Sequence, residues 1–247
     1  LSSGIDSAVI TAVASKLCPG IKAFTISFGV KNYSEMDDAS EIAKHLDIDH
    51  IKRVATFEDF VNAYEKVIYH LDSPVADPST VAIYLICEEA AKHVKVVLSG
   101  EGSDELFAGY RVYGTVEAAQ KIFALPKPVK SVIKLFASAL PESVRGKHML
   151  MRGVTPIEDR FIGNAFIFDE KGKKKILKSY DPDVKFTDIT HPIYEKAQNL
   201  SMLSKMQYCD LNTWLKGDIL VKGDRLSMAH SLEARVPFLD REVFEAA

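Results

Sequence analysis

Along the first hundred residues, short apolar runs alternate with longer stretches in which apolar residues recur every three to four positions, the two periods of strand and helix. Ala8 to Leu17 suits a helix, Ile21 to Phe28 reads as a strand, and a helix follows whose apolar face is Ala39, Ile42, Ala43 and Leu46. A short strand is expected around His50 to Val54. Thr56 stands where a helix N-cap belongs, ahead of Phe57, Phe60, Val61, Tyr64, Val67, Ile68 and Leu71. That is the spacing of an amphipathic helix facing a core, and its aromatics are expected in that core. The turn-rich SPVADPST, Ser73 to Thr80, leads into a helix from Val81 to Lys92. Val94 to Leu98, with only Lys95 polar, then enters the next loop like a buried strand. Strand and helix alternate in the manner of a mostly parallel sheet covered on both faces.

After Tyr110 the strand signal fades. Thr115 to Phe123 and Val129 to Leu140 read as helices bounded by Pro126, Pro128 and Pro141. Lys171 to Lys178 is expected to be a solvated turn, and Asp181 to Asp183 and His191-Pro192 to be turn-like. The chain therefore divides into an α/β core over 1–115 and a mostly helical part over 116–247.

Composition adds exclusions. With 247 residues and a net charge of -3, the chain suits one large domain or a domain with an appended lobe. It lacks the basic face that nucleic-acid binding would need. The three cysteines, Cys18, Cys87 and Cys209, have no paired spacing, so reduced, partly buried thiols of a cytosolic protein are expected, with neither disulfide nor zinc site. No run approaches ~18 apolar residues and no signal peptide is present, so no membrane partner is expected. The chain opens at Leu1 directly on a loop, with no methionine and no strand ahead of it, and is expected to be a piece of a longer protein.

Candidate chemistry gathers in three blocks. Ser99 to Asp104 leaves a strand at its carboxyl end, where ligands of open α/β sheets bind, and Glu105 to Tyr110 can open a helix. Gly100 and Gly102 permit turns and close backbone approach. Glu101, Asp104 and Glu105 serve either chemistry or an acidic helix N-terminus. At the start, Ser2, Ser3, Gly4, Asp6 and Ser7 precede a helix, so they either cap it or meet a phosphate there. No Walker, dinucleotide or nucleophile-elbow motif occurs. Between Asp218 and Asp240, Lys222, Asp224, Arg225, Glu233 and Arg235 suggest an ion-paired scaffold or an anionic ligand. His230 reads as a helix-face residue rather than a ligand.

The three blocks SSGIDS (Ser2 to Ser7), LSGEGSDELFAGY (Leu98 to Tyr110) and KGDRLSMAHSLEARVPFLD (Lys222 to Asp240), with DSPVADPST between, stand in order. Together they closely resemble the synthetase domain of glutamine-hydrolysing asparagine synthetases, members of the PP-loop ATP pyrophosphatase superfamily. The resemblance spans nearly the whole chain. It implies an α/β fold of the PP-loop (adenine nucleotide alpha hydrolase-like) kind, a parallel sheet with helices on both faces, its first strand missing here, plus a largely helical C-terminal portion.

The activity it implies is ATP-dependent amidation of aspartate: ATP adenylates the β-carboxylate, pyrophosphate leaves, and ammonia displaces AMP. By the same resemblance Asp6 and Asp104 hold Mg²⁺-pyrophosphate, and Ser2, Ser3, Gly4 and Ser7 cradle it. Leu1, Ile26, Ser99 and Gly100 surround the nucleotide. Glu101 lies at the acyl-adenylate, where it orients or deprotonates ammonia, so Glu101 and Asp104 are the implied catalytic pair. ATP and Mg²⁺ are the implied cofactors, aspartate and glutamine-derived ammonia the substrates, and an N-terminal glutaminase domain the partner. A homodimer is left open. Arg235 could hold aspartate or pair with Glu233.

Two departures stand out. The family loop usually reads SGGxDS, and Ser3 replaces its first glycine; a positive φ there would cost about 1 kcal/mol. The family's adenylation lysine lies downstream of RVPFLD, beyond Ala247. The alternatives are another amidotransferase-like ligase such as a β-lactam synthetase, or a non-catalytic ATP-binding module.

Overall fold

A computed structural model describes residues 1–29, 35–73, 75, 77–141, 143–164 and 167–246. Pro74 and Ala76 of the expected turn, and the terminal Ala247, lie outside the described residues. The order is α1 (Ile5–Leu17), β1 (Lys22–Ser27), α2 (Met36–His45), β2 (Asp49–Val54), α3 (Phe57–Leu71), α4 (Ser79–Ala90), β3 (Val96–Leu98) and α5 (Ser103–Phe107). There follow α6 (Thr115–Phe123), α7 (Lys127–Ala139), α8 (Lys147–Val154), α9 (Glu170–Ile176), α10 (Thr187–Lys196), α11 (Met202–Asn212), α12 (Leu220–Met228), β4 (Glu233–Arg235) and α13 (Arg241–Ala246). Two compact units result, Leu1–Ser103 with Asp218–Ala247, and Asp104–Gly217.

The first unit is α/β. β1 and β2 pair in parallel, with Lys22 opposite Asp49 and Ser27 opposite Val54. β3 pairs in parallel with β4, with Val96 opposite Glu233 and Leu98 opposite Arg235. Parallel neighbours need a crossover, and α2 supplies it between β1 and β2. Val96 and Leu98 differ from the expected buried strand: 45% and 48% of their surface stays exposed, because both line a cleft.

α3 starts as its sequence requires. Thr56 Oγ1 accepts the Asp59 amide at 3.1 Å and the Asp59 carboxylate accepts the Thr56 amide at 2.8 Å, a complete capping box. Its buried stripe is Ala63, Val67 and Leu71, with Phe60 alongside, packed with Val81, Tyr84 and Leu85 of α4 and Leu226 of α12. The expected aromatic core is not formed in full. Phe57 is 83% and Tyr64 52% exposed, and Val61 and Ile68 share that outer face. α3 carries two apolar stripes, and α4 and α12 pack against only one of them.

The second unit is helical around Tyr113, Val116, Ile157, Phe161, Tyr194, Met206 and Cys209. Two expected turns are helices here. Lys171, Lys173, Lys174 and Lys175 lie in α9, whose first turn is capped by Asp169 Oδ1 accepting the Gly172 amide at 2.7 Å. His191 and Pro192 lie inside α10, which buries Thr190 and Tyr194; those inner-face contacts outweigh the amide that proline lacks. Asp181 to Asp183 does form a turn, the Asp183 amide donating to Asp181 Oδ1 at 2.9 Å. α5 starts two residues before the expected Glu105 and stops at Phe107, where Ala108 takes φ 57°. Cys87 and Cys209 are buried, whereas Cys18 is exposed rather than partly buried. Among the described residues, no helix is long and apolar enough to cross a membrane.

Candidate functional site

In the first unit the opening loop runs beside β1. The Leu1 backbone nitrogen donates to the Phe24 carbonyl at 2.7 Å, and Thr25 Oγ1 donates to the Leu1 carbonyl at 2.6 Å. Serine hydroxyls then fold the loop on itself: the Ser2 amide donates to Ser7 Oγ at 3.0 Å and the Gly4 amide to Ser2 Oγ at 3.1 Å. The Ser3 amide donates to the carboxylate of Glu35, at 3.2 Å. The Ser2, Ser3 and Gly4 amides are therefore all engaged within the protein. Among the described residues no side chain caps the N-terminus of α1, whose first turn carries Asp6. Among the described residues, positive φ outside glycine occurs at Asp47, Asp72, Ala108 and Ser231. Ser3 therefore bears none of the strain that its replacement of glycine raised.

The second block meets the first at Gly100. A Cβ there would lie 3.2 Å from the Asp6 Cβ and 3.4 Å from the Ser7 amide nitrogen, so the two loops touch through a position that leaves almost no room for a side chain. It meets the third block twice. The Ser99 amide donates to the Arg235 carbonyl at 2.9 Å, extending the β3–β4 ladder. Gly102, at φ +89°, sits beneath Leu239, and a Cβ would come within 2.3 Å of that side chain. Segments nearly 240 residues apart in the chain are thus assembled at the carboxyl end of β3.

Leu1, Ile26, Ser99 and Glu101 line one cleft of about 620 Å³ between β1 and β3, its walls otherwise mostly apolar, with Phe24, Ile83 and Leu232 among them. Asp104 lies one residue beyond this unit, in the first turn of α5 and at the head of the second unit. Its carboxylate rests against Gly109, where a Cβ would fall 2.0 Å from Oδ1. The next residue, Glu105, is 1% exposed and accepts the Tyr110 hydroxyl at 2.7 Å. Burial first, and then this carboxylate, push the Tyr110 phenol well above its ordinary range.

The charged third block is largely scaffold. Lys222, almost wholly buried, pairs with Asp77 and, at 3.1 Å, with Asp218. Burial would lower the Lys222 ammonium and raise the Asp77 carboxyl. Their mutual hydrogen bond, with Asp218 and Ser79, reverses both, so the lysine is held above its ordinary value and Asp77 below. Arg225 pairs with Asp72 and exposed Arg235 with Glu233 at 2.9 Å, while Asp224 lines the cleft. His230 packs on Tyr84 with ring centroids 4.4 Å apart, and burial lowers its imidazole. Sequence reasoning missed Glu35, which no local pattern marks, and Asp77, which stood inside a recognised block without a role. Among the described residues, no three histidine, cysteine or acidic side chains form a metal cluster.

Glycine- and serine-rich loops thus meet beyond parallel strands, with the Asp6 carboxylate in the first turn of the helix that follows, in an α/β unit whose loops gather at the carboxyl end of β3. The model of the asparagine synthase family matches residues 1–247, and the chain belongs to that family. It is 44% identical, over its full length, to glutamine-hydrolysing asparagine synthetase 1 of Bacillus subtilis (strain 168), covering 39% of that protein. It is likewise 44% identical to a putative glutamine-hydrolysing asparagine synthetase of Mycobacterium tuberculosis (strain ATCC 25618 / H37Rv), covering 38% of it. A Zea mays asparagine synthetase is 34% identical over an alignment of 121 positions that covers 44% of this chain and 21% of that protein. The chain thus spans about two fifths of the length of its bacterial relatives.

Proposed function

We propose that this chain is the synthetase part of a cytoplasmic enzyme that makes asparagine from aspartate, ATP and ammonia, the ammonia being released from glutamine by a further domain. The observation that carries this reading is the meeting of Asp6 and Gly100, which joins the SSGIDS loop to the LSGEGSDE loop without space between them. Family membership supplies the reaction class.

A carboxylate is a poor acyl electrophile, and its approach to an anionic α-phosphate is opposed by charge. The β-carboxylate oxygen of aspartate attacks the α-phosphorus of ATP, the bond to the β-phosphate oxygen breaks, and pyrophosphate leaves. Ammonia then adds to the acyl carbon, loses a proton, and expels AMP. The first-turn amides of α1 and the Ser2, Ser3, Gly4 and Ser7 groups receive the leaving pyrophosphate, with Glu35 giving up its bond to Ser3. Glu101, at the cleft with Leu1, Ile26 and Ser99, orients ammonia and takes its proton.

The donor set suits Mg²⁺, which is held by one or two carboxylates together with phosphate oxygens and water rather than by an all-protein cage. Asp6 and Asp104 are the carboxylates assigned to it. When bound, it neutralises phosphate charge during adenylation.

The intact protein supplied with ATP, Mg²⁺, aspartate and ammonium should form AMP and asparagine in equal amounts. AMP formed only with another carboxylate would replace the substrate, and ATP binding without AMP would replace catalysis with a binding role. Asp104→Asn should weaken Mg²⁺-ATP use, and Glu101→Ala should stop product formation while ATP still binds. Normal turnover in both variants would contradict the site assignment.

A further inference from the structure

The short helix that carries Asp104 cannot hold itself. Five residues allow at most one or two intrahelical hydrogen bonds, and nucleation of so short a helix is unfavourable. Its last carbonyls are left to outside donors. Both N–H groups of the Gln207 side chain supply them, donating to the Glu105 and Leu106 carbonyls at 2.9 Å each, from a residue about a hundred positions away in the chain. One helical turn further on, Asp210 is fully buried. It accepts the Tyr113 hydroxyl at 2.6 Å and the Asn164 amide at 3.1 Å. α11 therefore grips the LSGEGSDELFAGY segment just after Asp104 and again just beyond the segment's end. Between the two grips, Ala108 turns the chain at φ 57° and Gly109 comes under the Asp104 carboxylate.

The geometry points to α11 as the element that fixes where the Asp104 carboxylate stands, with Gln207 as its positioning residue. Gln207 acts only through the backbone of α5. It holds Glu105 and Leu106 so that the preceding residue presents its carboxylate in one place, and Asp210 with Tyr113 fixes the return of the chain. This inference rests on the assignment of Asp104 to Mg²⁺-pyrophosphate.

The test is a Mg²⁺ titration of ATP binding by the intact protein, read by calorimetry at fixed ATP without aspartate, alongside the same titration of AMP formation at saturating aspartate and ammonium. The variants are Gln207→Met, Asp104→Asn and the pair together. Gln207→Met keeps the shape and removes both donors. It should raise the half-saturating Mg²⁺ by ~10-fold, the loss typical when a group supporting a metal ligand is removed. Added to Asp104→Asn, it should raise it no further, because the residue it positions is already altered. A merely structural role would lower the maximal rate through a smaller folded fraction and leave the half-saturating Mg²⁺ unchanged; that result overturns the inference. Fully additive effects overturn it too. If Asp104→Asn itself leaves Mg²⁺ dependence unaltered, the underlying site assignment fails, and Gln207 loses its role with it. Should Gln207→Met not fold, Gln207→Asn shortens the reach by one methylene while keeping the amide, and the same shift or its absence decides.

Discussion

At the scale of single residues, two glycines decide whether the loops can meet. Gly102 has φ +89° and would place a Cβ within 2.3 Å of Leu239. Gly102→Ala therefore combines left-handed strain with overpacking and should cost about 2–4 kcal/mol in chemical unfolding. A loss under ~0.5 kcal/mol would contradict both the strain and the clash. That Gly100 and Gly102 served close approach was readable from the sequence; what approached them was not, since Asp6 and Leu239 lie far away in the chain. Ser3 looked like a defect by comparison with the family loop, yet the strain it threatened depends on a backbone angle that only the structure gives. Asp210 was silent in the sequence, one acid among 34 Asp and Glu residues. Burial pushes its carboxyl up to about 6 from 3.8, with hydrogen bonds from Tyr113 and Asn164 opposing the rise. The native state thus binds that proton more tightly than the unfolded chain. Ionising Asp210 costs stability as pH rises from about 4 through 6, by about 3 kcal/mol in all. Asp210→Asn should lose less stability than the parent over that rise, as read by urea unfolding at a series of pH values; identical slopes would contradict the shift.

At the scale of elements, local signals were read well and faces were not. The Thr56 N-cap is a local signal, its partner Asp59 only three residues on, and Thr56→Ala should cost ~1 kcal/mol in unfolding free energy. No measurable loss would mean that α3 is held by its packing alone. The start of α6 and the existence of α1 to α4 followed from period and punctuation. The face that α3 buries did not, because Phe57, Val61, Tyr64 and Ile68 form an apolar stripe as regular as the buried one. Partners, not periodicity, choose between such stripes. α10 ran through Pro192 because its inner face is buried, which no local rule about proline reveals. The pairing of β3 with β4 was equally hidden: a three-residue strand has too little pattern to announce itself.

At the scale of the whole molecule, family membership was legible because three blocks stood in order. Residues 218–246 nevertheless return to the N-terminal unit, a long-range connection that helix content alone could not indicate. The Lys222, Asp77 and Asp218 cluster shows why the charges of the third block are there: it ties α12 to the segment that begins α4. Adenylation of aspartate by ATP is the central claim, and it is tested most directly with aspartate carrying ¹⁸O in its β-carboxylate, given to the intact protein with ATP, Mg²⁺ and ammonium. Attack of that carboxylate on the α-phosphorus leaves one labelled oxygen on AMP when ammonia displaces it. The account predicts one ¹⁸O in each AMP formed alongside asparagine; asparagine accompanied by unlabelled AMP would contradict it.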